Sequence, residues 1–279
     1  MAAKVVLLGT GNPNPDPQRS GPSVAVVVED MAYIVDAGPG VVRQAQAGYL
    51  KGIEALKADR LEMLFLTHLH SDHTAGLPDI MFTPWVMERK EPLKIFGPPG
   101  TGDMVKHMTY AFEKDINIRK KGLERANDTG WRSVVKEIAE GRVFSDERVD
   151  VEAFRVKHGA WDRAFGYRFI TDDGCVVVSG DCSPTPGLED NYKGADVLVH
   201  EVYSKAGFDG RPEGWKAYHS SAHTSSVQLA SIAKAAGPKL LVLYHQLLWG
   251  RPEEELVREI STIYDGTVVS GKDLDIFKV

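Results

Sequence analysis

The sequence predicts an α/β fold in which two β-sheets stack face to face with helices on the outside. Three observations carry this. Short apolar runs rich in β-branched residues precede helical stretches in the first half of the chain. The same order returns in the second half, and no Ser/Gly-rich linker separates the two. The 279 residues therefore read as a single domain, 1–279, with a polar, helix-biased insert at about 101–145.

In the first half, strands are expected at 5–8, 24–28 and 33–35, with the Gly/Pro turn 9–15 between the first two. A helical stretch over 41–58 leads into a strand at 63–66. A helix over 77–88, a strand at 93–96 and the turn Gly97-Pro98-Pro99-Gly100 follow. Within the insert, Met104, Met108 and Phe112 recur every four residues as one helix stripe. That stripe reads as core packing or an oligomer contact in preference to a lid over a pocket, and it makes a homodimer possible. In the second half, strands are expected at 149–156, 166–170, 175–179 and 197–199. A helix over 222–236, a strand at 240–243, a helix over 253–263 and a last strand at 275–277 complete the chain.

Composition excludes several classes. Hydrophobic residues make up 43% and charged residues 26%, ordinary for a globular protein. A chain this long buries roughly three quarters of its unfolded surface and needs no disulfide staples. Cys175 and Cys182 form neither a disulfide framework nor a Cys-x-x-Cys metal site. The first apolar run is too short for a signal peptide, and no stretch approaches the ~20 apolar residues of a membrane span. The cytoplasm is the expected compartment. The net charge of −6 provides no global basic field for a phosphate backbone, so nucleic acid is not the expected partner.

The chemistry concentrates in His68-Leu69-His70-Ser71-Asp72-His73, directly after an apolar strand. Ligands collect at the carboxyl ends of such strands. Residues two apart in an extended segment point the same way, so His68 and His70 can grip one ion. Asp72 and His73, beginning the next turn, point elsewhere and can hold a second. Imidazole and carboxylate suit Zn²⁺ and related metals. His158 and His245 each end a predicted strand, and Asp181 follows another. A carboxylate can bridge two metals where one imidazole nitrogen cannot.

These motifs resemble the metallo-β-lactamase superfamily, and more narrowly its ribonuclease Z and arylsulfatase-like branch. The matching residues are Leu8-Gly9-Thr10-Gly11, the 68–73 run, Phe96-Gly97-Pro98-Pro99-Gly100, His158, Ser179-Gly180-Asp181, His200-Glu201, His223-Thr224 and Tyr244-His245. They span nearly the whole chain in the expected order. The resemblance implies a four-layer αββα sandwich. It also implies two divalent ions, Zn²⁺ first and Mn²⁺ or Fe²⁺ as alternatives. His68, His70 and His158 would hold one ion and Asp72, His73 and His245 the other, with Asp181 bridging.

Two cations roughly 3.5–4 Å apart lower the pKa of a shared water, and the resulting hydroxide is the expected nucleophile. Asp72 would orient it. By analogy with the branch, His223, at the expected start of a helix, would protonate the leaving group, and Glu201 would orient His223. His219 is open between substrate contact and packing, His200 reads as structural, and His107 as outside the site.

The β-lactamases most often carry cysteine where this chain has Asp181, which disfavours antibiotic hydrolysis. The interval from His158 to Asp181 is too short for the long basic arm common in tRNA-processing members. Arg119-Lys120-Lys121 reads as a solvated helix face. Trp85, Trp161, Tyr203, Trp215 and Trp249 fall near site-forming segments and can wall an apolar pocket. Arg163 and Arg168 are open between an anionic substrate and the surface. The expected substrate is a small phosphodiester, phosphotriester or sulfate ester. A ribonuclease Z-type tRNA endonuclease and a lactonase-like carboxylic-ester hydrolase are the enzyme alternatives, and a non-catalytic binding module comes last.

Overall fold

The computed structural model describes residues 2–279. One sheet is built from β1 (Lys4–Gly9), β2 (Ser23–Val28), β3 (Met31–Val35), β4 (Met63–Phe65), β5 (Leu93–Gly97) and β6 (Ser133–Glu137) in that order. The second runs from β7 (Gly141–Ser145) through β8 (Asp150–His158), β9 (Trp161–Thr171), β10 (Gly174–Val178), β11 (Val197–Tyr203) and β12 (Leu240–Leu247) to β13 (Val268–Ser270). β14 (Ile276–Lys278) returns to pair antiparallel with β1. In both sheets an antiparallel half gives way to a parallel half, at β3–β4 and at β10–β11. This is the expected αββα sandwich.

The strand runs read as continuously apolar because both faces of each sheet are covered. Val5, Leu7, Val24 and Val26 meet Phe165, Tyr167, Val176, Val178 and Val199 between the sheets. Phe65 sits in the middle, stacked on Phe96 at 4.8 Å and edge-on to Tyr167 and Phe169 at 5.5 Å. The alternate residues Val6, Leu8, Ala25 and Ile34 pack outward under α1 (Val41–Leu50) and α3 (Leu77–Val86). Between those helices lies the single turn α2 (Ser71–Thr74). On the far side, Val177, Leu198, Leu241 and Leu243 pack beneath α8 (Ser226–Ala236) and α9 (Glu253–Ser261). Each side chain fully buried in this way is worth roughly 1.5–3 kcal/mol.

Three expected elements differ. The helix over 41–58 stops at Leu50, where Gly52 at φ +93° turns the chain into two short 3₁₀ turns. The 101–145 insert is helical only as α4 (Thr101–Ala111) and α5 (Glu113–Lys121). Its remainder supplies β6 and β7, whose largely exposed residues lack an alternating pattern. Third, the helix expected over 222–236 begins only at Ser226, as α8, where Ser225 caps it in a reciprocal box with Gln228. The preceding stretch, for which no helix was expected, forms α6 (Lys205–Asp209) and α7 (Glu213–Ala222). The Met stripe does pack: Met104 and Met108 lie against the outer core, and Phe112 sits 4.9 Å from Phe82. Among the described residues no helix is long and apolar enough to cross a membrane.

Arg89 is fully buried. Its guanidinium donates to the carbonyls of Leu61, Ile80, Met81 and Gly130 at 2.7–3.0 Å, pinning α3 to the segment before β6. Burial pulls its pKa down to about 10. Arg89→Met would leave four buried acceptors unpaired. The expected loss is about 3–5 kcal/mol, read as a lower urea midpoint at unchanged m-value. A loss under about 1 kcal/mol would show that water takes over those bonds.

Candidate metal centre

The site forms where the two sheets meet at the carboxyl ends of their strands. The first sheet delivers the 68–73 run after β4. The second delivers His158 at the end of β8, Asp181 just past β10, and His245 within β12. Gly180 makes the turn possible. It sits at φ +61°, and a Cβ there would stand 2.7 Å from the Phe165 carbonyl oxygen.

All seven side chains converge. His68, His70, His158 and Asp181 each offer one atom within 4.8 Å of the others, and so do Asp72, His73 and His245. Asp181 Oδ2 lies between the groups, 3.4 Å from His73 Nε2, 3.3 Å from His245 Nε2 and 3.9 Å from His158 Nε2. Asp72 Oδ2 is 3.2 Å from His245 Nε2 and 3.6 Å from His73 Nε2.

The donor set fits cations. His68 Nε2 and His158 Nε2 lie 2.9 and 3.0 Å from the same His70 Nδ1. One N–H cannot satisfy three nitrogens, whereas one cation can. His73 Nε2 and Asp181 Oδ1 are buried without a hydrogen-bond partner, an expensive arrangement unless an ion completes it. Burial, ahead of the neighbouring charges, lowers the pKa of His70 and His158 to about 4, which keeps their lone pairs free. Burial also opposes ionisation of Asp181, but His245 and His73 hold its pKa well below the usual range.

Outer contacts aim these rings. Asp36 accepts from His73 Nδ1 at 2.7 Å and from the Thr67 amide and hydroxyl at 2.8 Å each. Thr67 Oγ1 in turn lies 3.0 Å from His68 Nδ1. His158 Nδ1 donates to the Ala222 carbonyl at 2.7 Å. The indole N–H of Trp161 donates to His70 Nε2 at 2.7 Å. Asp36 was not among the expected site residues. Its signal is the one that marked Asp181, an acid just past an apolar strand.

His223 is reached at the rim, 3.2 Å by Nδ1 from Glu201 Oε2. It does not begin a helix as expected. Its φ/ψ of −134°/166° put it in the extended link after α7. Glu201 also accepts from the Thr224 amide at 2.7 Å. Burial, and then the charge of Asp181, push the Glu201 pKa up to about 8.

The remaining candidates divide. His200 is buried against Tyr192 at 3.0 Å, and His107 lies on the exposed side of α4, bonded to the Asp103 carbonyl. His219 donates to the Trp215 carbonyl and packs 4.7 Å from Trp249. Trp161 stands at the cluster. Trp85 and Tyr203 do not, being buried against Asn127 and Phe208. Arg163 pairs with Asp162, and Arg168 binds the Asn191 and Lys193 carbonyls. Arg119 and Lys120 are taken up by Asp115, Glu124 and Asp128. The stretch between His158 and Asp181 is the tight β8–β9–β10 meander, with no arm. A cavity of about 520 Å³, unforeseen from sequence, lies beside Asp72 under the loop from Asn12 to Gly21.

Two stacked sheets with this rim of histidines and aspartates define a metal-dependent hydrolase. The model of the beta-lactamase superfamily domain matches residues 32–246. A ribonuclease Z from Mycolicibacterium gilvum is 34% identical over 278 residues, 97% of this chain and 94% of that one. The human short-form tRNase Z superposes with a TM-score of 0.71 at 25% identity over 99% of both chains. The metallo-beta-lactamase fold protein YhfI from Bacillus subtilis gives 0.76 at 19% identity over 99% of both. The chain belongs to the metallo-β-lactamase superfamily, in its ribonuclease Z branch. Ribonuclease relatives run against the expectation that nucleic acid is not a partner, and they favour the tRNA-endonuclease alternative over the small-ester reading.

Asp36→Asn should keep the fold and weaken metal binding by about 10–100-fold, because an amide cannot accept from His73 and Thr67 together. Competition against a chromogenic chelator measures this. Unchanged affinity would remove Asp36 from the site.

Proposed function

We propose that this chain is a two-metal phosphodiesterase that cleaves RNA, with activity of the ribonuclease Z type. The observation that carries it is the Glu201–His223 pair poised beside seven convergent ligands. The near-full-length likeness to a ribonuclease Z supports RNA as the substrate. Both sheets contribute to the cluster, which supports reading the chain as one catalytic domain. The two cysteines are free and buried, which suits the reducing cytoplasm.

In this reading His68, His70 and His158 would hold one divalent ion and Asp72, His73 and His245 the other, with Asp181 shared between the two groups. Zinc is the first choice for that set. The ions, when bound, supply an activated water and neutralise charge on the phosphate. Asp72, its side chain 12% exposed, would direct the attacking water with the carboxylate oxygen it does not turn toward His245. His223, with Nδ1 held by Glu201, delivers a proton from Nε2 to the leaving oxygen. The Thr224 amide fixes Glu201, so the imidazole cannot swing away from the cluster.

A second reading, hydrolysis of small phosphodiesters, phosphotriesters or sulfate esters, is favoured by the armless β8–β9–β10 meander. Yet the M. gilvum relative is covered to 94% by this chain, so the ribonuclease Z name is borne by a protein of nearly the same length. The two readings separate in one experiment. The zinc-loaded protein is offered a tRNA precursor alongside nitrophenyl phosphodiester, phosphotriester, sulfate and carboxylic esters. Precursor cleavage with kcat/KM at least about 100-fold above the best small ester is expected. Turnover of the small esters alone would overturn the RNA reading.

His223→Ala should lower kcat by about 10²–10⁴ on substrates with alkoxide leaving groups and by less than about tenfold on nitrophenyl esters, whose oxygen leaves without a proton. Equal losses on both would exclude the general-acid role.

A further inference from the structure

We propose that Trp161 and Tyr218 bracket a subsite for one planar aromatic ring of the substrate, on the leaving-group side of the metal-ligand cluster. The inference rests on the phosphodiesterase reading and adds what the leaving group looks like. A cavity of about 340 Å³ opens directly on His70 and His158, walled by Trp161 and Tyr218 and floored by Gly159 and Ala222. That volume is at the low end for small-molecule sites, which suits one ring and excludes a nucleic-acid duplex.

The walls are aromatic and the floor is bare. Trp161 stands edge-on to His70, ring centroids 5.0 Å apart and planes at 87°, which turns the indole plane across the cluster instead of onto it. Tyr218 reaches in from α7, 42% exposed and 6.3 Å from the His223 ring. Gly159 sits at φ +53°, and a Cβ there would meet only the Ala222 methyl, at 3.6 Å. No carboxylate, lysine or arginine lines the cavity, so a phosphate placed in it would find no charge partner. Aromatic faces stack any base or aryl group without reading its identity. The proximity of Tyr218 to His223 assigns the side, because His223 serves the leaving oxygen.

Of the other aromatic residues flagged from sequence, Trp85 and Tyr203 are buried elsewhere, and Trp215 and Trp249 pack around His219.

Isothermal calorimetry on the zinc-loaded protein tests the subsite, comparing adenosine 5′-monophosphate, phenyl phosphate and ribose 5-phosphate. The aromatic ligands should bind about tenfold tighter than ribose 5-phosphate. Tighter binding of the adenosine ligand than of phenyl phosphate would mark a nucleobase as the natural occupant, and the reverse an aryl group. The preference should fall below about twofold in Tyr218→Ala, with bound zinc unchanged, and in Trp161→Ala, and it should survive in Trp161→Phe. The Tyr218 side chain makes no hydrogen bond to a metal ligand, so its variant reports even if Trp161→Ala loses metal. Equal binding of all three ligands by the wild type, or a preference that survives Tyr218→Ala, would overturn the proposal. Phosphodiester turnover without ring preference would sink this inference alone. Ring preference without turnover would sink the phosphodiesterase reading and leave the subsite standing.

Discussion

The carboxylate of Asp36 sits at the junction on which the rest of the centre depends. It lies just past β3, 1% exposed and at φ +61°, and it receives three hydrogen bonds. Two come from Thr67 and fix the chain as it leaves β4, so the 68–73 run starts from a defined point. The third turns His73 so that Nε2 faces Asp181 and Asp72. Thr67 carries the constraint further. Its hydroxyl supports His68, and its carbonyl accepts the Phe165 amide of the opposite sheet at 2.9 Å. A single buried acid thus couples the register of the two sheets to the aim of two imidazoles. Charged hydrogen bonds in such a setting are strong, and removing one leaves the others strained.

That organisation is made at the expense of local stability. Five imidazoles and two carboxylates crowd into a volume where several nitrogens face one another without protons to share. Bringing such groups out of water is costly, and the fold meets the cost with the apolar layers on both faces of each sheet. An ion that binds only the folded arrangement returns part of this energy, so metal occupancy and folding stability are linked. The same logic explains why polar contacts radiate outward from the cluster to Ala222, Trp161 and Asp36. Each fixes a ring that the metal alone would leave free to rotate.

Much of this was legible in the sequence. Strand runs such as Val5–Leu8 and Leu240–Leu243 announce sheets buried on both faces. The His/Asp run, His158, Asp181 and His245 were found because each falls where an apolar run stops. Asp36 obeys that same rule, but a lone acid after a strand has no neighbouring histidine or aspartate to single it out. What was not legible was set by tertiary context. β6 and β7 are edge strands with little buried surface, so no alternation marks them. The start of α8 was written in Ser225 and Gln228, while α7 carries too few apolar residues to mark it as a helix. Trp161 and Tyr218 lie 57 positions apart, and only the β8–β9 turn and α7 bring them to one cavity.

How an acidic chain can hold a polyanion follows from the same geometry. Lys and Arg contacts to phosphates give affinity that falls steeply with salt. Here Arg119, Lys120 and Arg168 are already engaged by carboxylates or carbonyls, and the net charge is −6. On the proposed RNA reading, these three side chains would add little through counterion release. The local contributions would be the phosphate at the ligand cluster and the stacking beside it. A protein built this way reads the few atoms around one phosphodiester and leaves the remainder of a long substrate in solvent. On that reading the missing arm would change how much of the RNA is gripped, while the bond that is cut would stay the same.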